Sequence, residues 1–229
     1  MPPLHALSSL PSEADLDLHS AAHGSRSVKK TFVERFRRRI SLLAGVLFLL
    51  LITFTTTPHE ATPLFEAFII PGFLLVATGV IGRLWCTTYI GGLKNKELVT
   101  DGPYSLWRNP LYVFSFIGLI GVVLSTRILL LLVVAIPAFL LYYRFVIGSE
   151  EKRLKELFGA TFVEYCERVK VVVPSLANYW SRPGFEMNPK FYQRAMADGA
   201  MFFLALALVE TLHRLKVGGV IPTLTKLPF

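Results

Sequence analysis

The sequence predicts an all-α, polytopic membrane protein with about five transmembrane helices, a central helical hairpin among them, and amphipathic helices on the cytoplasmic side. Three observations predict it. Of the 229 residues, 53% are hydrophobic and only 17% charged, where a soluble domain carries about 25% charged residues. Mean hydropathy is +0.51. Several apolar runs reach or approach the roughly 20 residues that a helix needs to cross the hydrocarbon layer.

Met1 to about Ser27 is rich in Ser, Ala, His and Pro and lacks apolar periodicity, which predicts a disordered tail; residues 28–229 form a single membrane-embedded domain. No apolar h-region precedes the basic cluster Lys29 to Arg39, so the start does not read as a secretory signal. Ile40 to Thr57 is the first predicted span and Leu64 to Leu84 the second, with Pro63 suited to a first helical turn. Leu111 to Leu124 is apolar but short. Ile128 to Ile147 is full length, and only Ser125, Thr126 and Arg127 separate the two, which predicts an antiparallel helical hairpin. Ala200 to His213 is a shorter, weaker fifth span.

The net charge is +8. The basic residues sit between apolar runs, which reads as membrane topology and anionic-lipid contact, with no nucleic-acid partner. With the N-terminus inside, twenty of the 24 Lys/Arg fall on one side. That bias predicts N-in, C-out and five spans. The loop Pro58 to Pro63 carries Glu60 and no Lys/Arg, as an outer loop should. A chain this compact suits a bacterial inner membrane.

Two polar pieces then face the cytoplasm, Leu84 to Pro110 and Gly148 to about Asp198. In the first, Lys94 to Tyr112 reads KNKELVTDGPYSLWRNPLY. Gly102-Pro103 and Asn109-Pro110 are turn signals, and Pro110 is placed to open a helix. Tyr104, Arg108, Asn109 and Tyr112 gather at that helix start, whose free N–H groups suit a carboxylate; interfacial anchoring explains the same residue types. In the second piece Ser149 reads as an N-cap before Glu150 and Glu151. Leu154, Leu157 and Phe158 recur at helical spacing, Gly159 ends or bends the helix, and Phe162, Tyr165 and Val169 continue the stripe. The two glutamates either complement the helix dipole or bind a cationic or hydroxyl-bearing ligand. Pro174 to Asp198, with Trp180, Phe185, Phe191 and Tyr192, reads as an interfacial segment.

Several chemistries are excluded by pattern. No GxG triplet, HExxH, clustered Cys/His metal site or Gly-x-Ser-x-Gly occurs. Cys86 and Cys166 have no metal spacing. None of the five histidines suits a cytoplasmic catalytic site.

The string ELVTDGPYSLWRNPLY, followed about 40 residues later by EE and LFGATFVEY, resembles the isoprenylcysteine carboxyl methyltransferases and their phospholipid methyltransferase relatives. The resemblance runs from about Gly79 to Pro174. It implies a multi-span enzyme that uses S-adenosylmethionine without a dinucleotide-binding domain. It further implies that Lys96, Glu97, Leu98 and Val99 contact the cofactor, together with Tyr104, Asn109, Pro110, Leu111, Tyr112 and Glu150. Glu151 and Arg108 carry the expected catalytic roles, Glu151 as general base where the acceptor is an amine or hydroxyl, and Arg108 as partner of the cofactor carboxylate or of lipid phosphate. Two departures bear on the acceptor. Prenylcysteine enzymes have His where this chain has Asn109, and a substrate-binding Arg where it has Val146. The expected reaction is therefore methyl transfer to an amphiphilic or lipid-like acceptor, on a carboxylate oxygen or an amine nitrogen. A sterol-type NADPH reductase and a non-enzymatic scaffold are the alternatives.

Overall fold

The computed structural model describes residues 32–57, 62–171, 173–174, 176–184, 187–222 and 224–226. The predicted tail 1–27, most of the loop Pro58 to Pro63 including Glu60, and Phe185 lie outside the described residues. Contacts divide the chain into Met1–Leu43 and Ala44–Phe229. The described part of the first unit belongs to helix α1, Phe32–Phe54, which runs on into the second. All other described elements lie in the second unit. These are β1 (Thr55–Thr56), α2 (Pro63–Glu66), α3 (Ile69–Ile90), α4 (Pro103–Leu106), α5 (Pro110–Leu124), α6 (Leu130–Arg168), a 3-10 turn at Leu176–Asn178, α7 (Pro189–Val217) and β2 (Thr225–Lys226). The two short strands pair in parallel, Thr55 with Thr225 and Thr56 with Lys226.

The fold is that of an all-α polytopic membrane protein. Among the described residues, Pro63–Ile90, Leu130–Arg168 and Pro189–Val217 are long and apolar enough to cross a membrane, and Leu42–Phe54 and Pro110–Leu124 are shorter apolar helices. Two sequence expectations need correction. The fifth span is no short segment: Ala200 to His213 is the middle of the 29-residue α7. Its start is fixed by Asn188, whose side chain accepts a hydrogen bond from the Lys190 N–H (3.1 Å), and by Pro189 in the first turn. The polar residues between Lys190 and Asp198 hide that start from a hydropathy reading. Ser149, likewise, caps nothing. It lies inside α6 and donates to the Val146 carbonyl (2.8 Å), because the good helix formers that follow it offer no reason to break. The interruption comes at Gly159, as expected, with φ 53° and ψ −125°, a conformation open to glycine.

The tightest packing is between α3 and α5. Gly72 and Gly79 on one helix face Gly118 and Gly121 on the other, so that backbones meet where side chains would otherwise stand. A Cβ on Gly79 would come within 2.8 Å of the Gly118 backbone, and one on Gly121 within 2.6 Å of the Gly72 carbonyl. Membrane helices, which gain little from apolar burial against lipid, associate through such small-residue seams. Gly79→Val is expected to destabilise the protein by about 1–3 kcal/mol, read as a lowered midpoint of thermal unfolding in detergent; an unchanged midpoint would mean that the helices do not touch there. Helix α7 closes on this pair, with Val76, Val80, Val122 and Val209 buried together. Helix α6 packs chiefly on α5, through a ladder of rings: Tyr112 with Tyr143 (centroids 4.7 Å apart), Tyr143 with Phe139 (4.0 Å) and Phe139 with Phe116 (4.9 Å).

The closed end of the hairpin is polar and buried. Arg127, with φ 63° and no exposed surface, donates to Glu66 (2.9 Å) and Glu210 (3.0 Å). His213 Nε2 lies 2.7 Å from the other Glu66 oxygen. Lys216 donates to the Thr55 carbonyl (3.0 Å). The turn is thereby tied to α2 and α7, and α7 in turn to β1.

Candidate active site at the open end of the hairpin

At the other end, the start of α5 and the continuation of α6 beyond its apolar stretch face each other. The hairpin expectation requires this juxtaposition, and one bond displays it: the Tyr112 hydroxyl donates to Glu150 Oε2 at 2.7 Å, across 38 residues of chain. The other carboxylate oxygen of Glu150 receives Lys94 Nζ at 2.9 Å, with Arg153 at 3.8 Å. Tyr112, Glu150 and Lys94 border a cleft of about 110 Å³.

Nine of the twelve residues singled out from sequence line it: Glu97, Leu98, Val99, Tyr104, Arg108, Asn109, Leu111, Tyr112 and Glu150. Three do not. Lys96 is exposed. Pro110 is buried as the first residue of α5. Glu151 sits about 100° around the helix from Glu150 and bonds instead to Arg108 Nη1 (3.1 Å). Five lining residues were not singled out as site residues: Ile90, Lys94, Asn95, Leu154 and Tyr165. Lys94 and Asn95 stand in the same polar stretch as the rest. Leu154 and Tyr165 read as amphipathic stripe, and only the tertiary fold shows that this stripe faces the cleft.

Two polar atoms inside the cleft wall lack a hydrogen-bond partner although both are buried, the Tyr104 hydroxyl and Asn109 Nδ2. A buried polar group left unpaired costs about 1–3 kcal/mol. Burial pushes the Tyr104 hydroxyl well above the usual phenol range, so it stays a neutral donor. Its backbone carbonyl is fixed by the Tyr165 hydroxyl (2.7 Å). Arg108 is held from two sides, its Nε on the Val169 carbonyl (2.8 Å) and its backbone N–H on the Lys170 carbonyl (3.0 Å).

The loop that carries these residues is pinned by a clamp not legible in the sequence. Asp101, wholly buried, is gripped by Arg182 at 2.6 and 3.0 Å, and Arg182 also reaches Glu97 at 3.1 Å. Hydrogen bonding to Asp101 raises the Arg182 guanidinium above its ordinary value, so it stays charged. Gly102 makes the turn possible. Its φ is 56°, and a Cβ there would stand 2.4 Å from the Tyr89 ring.

A polytopic helical protein whose polar cleft is assembled from a helix start and an acidic helix extension is the class defined so far. The chain belongs to the phospholipid methyltransferase family, whose model matches residues 40–161. It is a membrane methyltransferase by that membership. It is 34% identical over 194 residues to a nickel-cobalt-cadmium resistance protein of Alcaligenes xylosoxydans xylosoxydans, covering 84% of this chain and 91% of the relative. It is 37% identical over 150 residues, 66% and 69% of the two chains, to a cobalt-zinc-cadmium resistance protein of Cupriavidus metallidurans. It is 34% identical over 113 residues, 46% and 55% of the two chains, to protein-S-isoprenylcysteine O-methyltransferase B of Arabidopsis thaliana. No solved structure matches the chain.

Proposed function

We propose that this protein transfers a methyl group from S-adenosylmethionine to an amphiphilic, lipid-like acceptor at the cytoplasmic face of a bacterial inner membrane. The observation that carries the reading is the pair of buried, unpartnered donors, Tyr104 Oη and Asn109 Nδ2, in one cleft with a carboxylate already oriented by Tyr112. These groups fit a ligand that presents both acceptors and donors, as the cofactor's nucleoside and amino-acid ends do.

When bound, S-adenosylmethionine supplies a methyl carbon activated by a sulfonium. The protein's part is positioning and exclusion of water. Glu150 accepts hydrogen bonds from the cofactor's donors. Tyr104 and Asn109 donate to its acceptors, and Glu97, Leu98, Val99 and Leu111 form the wall. The faces of Tyr104 and Tyr112 stabilise positive charge, by roughly 0.5–2 kcal/mol each. Arg108 offers a cation to a carboxylate or phosphate. A carboxylate acceptor needs no base. An amine acceptor does, and Glu151 is the candidate, acting once its pair with Arg108 opens, since its own carboxylate does not line the cleft. Lys96 and Pro110 serve through the backbone, one in the loop and one as the start of α5. Two relatives are named for metal resistance, but among the described residues no three His, Cys, Asp or Glu side chains are grouped to hold a metal ion.

The test is a thermal-shift titration of the detergent-purified chain with S-adenosylmethionine and, separately, NADPH. The first is expected to stabilise and the second not; the reverse result would make the protein a reductase. Lipid extracts of cells with and without the protein should then differ by a species about 14 Da heavier, one added methyl group.

A further inference from the structure

The acidic position of the cleft already has a cation in it. Glu150 is largely buried, with one oxygen bonded to Tyr112 and the other to Lys94 at 2.9 Å, while the Lys94 side chain is 57% exposed. Lys94 rides on the turn between α3 and α4, in which Gly92 (φ 91°) and Asn95 (φ 66°) both take left-handed conformations. Lys94 and Glu150 both line the same open cleft.

From these facts, and resting on the reading above, we infer that Lys94 is an internal counter-ion of Glu150 that the incoming cofactor displaces. A carboxylate withdrawn from water needs a partner at all times. Lys94 supplies it before the ligand arrives, and the ligand's own donors supply it afterwards. The lysine has a long stem and a side chain more than half exposed, so its release costs little. The exchange also discriminates: a ligand with no donor to offer Glu150 gains nothing by expelling Lys94. Arg153, farther from the carboxylate at 3.8 Å, stays in either state. Lys94 is thus a positioning residue that sets affinity and selectivity without touching the reacting atoms.

The experiment is isothermal titration of the full chain in detergent with S-adenosylmethionine and with S-adenosylhomocysteine, for the wild type, K94M, K94R and E150Q. K94M is expected to bind about two- to fivefold more tightly than wild type, the factor by which an exposed ion pair competes. K94R, which keeps the cation, is expected to restore wild-type affinity. Equal or weaker binding by K94M overturns the inference; if E150Q has meanwhile lost binding, the reading of the cleft stands and only the role of Lys94 falls. If E150Q binds like wild type, the reading itself fails and the inference fails with it.

Discussion

Glu150→Gln is expected to weaken S-adenosylmethionine binding by about 10- to 150-fold, the loss of a hydrogen bond to a charged group, while the protein inserts and folds as before. The fold should survive because Glu150 lies beyond the apolar stretch of α6 and is not part of the α3–α5–α7 core. The carboxylate bonds a tyrosine and a solvent-exposed lysine, each of which has water as an alternative partner once the cleft is open. Binding of tritiated cofactor to the purified variant measures the effect, and wild-type affinity in E150Q would take Glu150 out of the site. Glu151→Gln is the internal control. Its side chain pairs with Arg108 and does not itself line the cleft, so cofactor affinity should change little, and any effect should fall on turnover of an amine acceptor.

Arg127→Met should produce the largest loss of stability of any single change in the helical core. The wholly buried guanidinium is the common partner of Glu66 and Glu210. Removing it takes away the cation that the two carboxylates share, leaving Glu210 with Arg214 (2.7 Å) and Glu66 with His213 (2.7 Å), at a cost on the order of 3 kcal/mol, the lower end for breaking a buried pair, because both acids keep some solvent access. The measurement is thermal unfolding in detergent. Adding Glu66→Gln and Glu210→Gln to Arg127→Met should return most of the lost stability, since the repulsion disappears with the charges. A triple variant as unstable as the single one would locate the cost in the turn, where Arg127 holds a left-handed backbone, and not in the ion pairs.

The sequence carried the hairpin well because its evidence is local: two apolar runs and a three-residue joint leave one way to fold. It carried most of the cleft for a related reason. The nine lining residues expected from sequence stand in two short polar stretches, and a hairpin returns those stretches to the same end. What stayed hidden was whatever depends on partners far apart in the chain. Ser149 has the look of a cap, but a cap is needed only where a helix begins, and α6 passes straight through. Asp101 and Arg182 are ordinary loop charges until the fold sets them 2.6 Å apart. The early part of α7 reads as interfacial because Lys190, Arg194 and Asp198 dilute its hydropathy, although Asn188-Pro189 is a sound helix start. Pairing of Thr55–Thr56 with Thr225–Lys226 rests on two residues a side, too short for any periodic pattern.

The cross-linked knot around Arg127 makes one end of the α5–α6 pair a fulcrum. From there to Glu150 the lever arm is about 30 Å, 20 residues of helix, so a tilt of roughly 5° carries the acidic tip sideways by about 2.6 Å. A tilt of α6 about that base would displace Glu150 more than any residue nearer the turn, and the Tyr112–Glu150, Arg108–Glu151 and Tyr165–Tyr104 bonds at the far end oppose it.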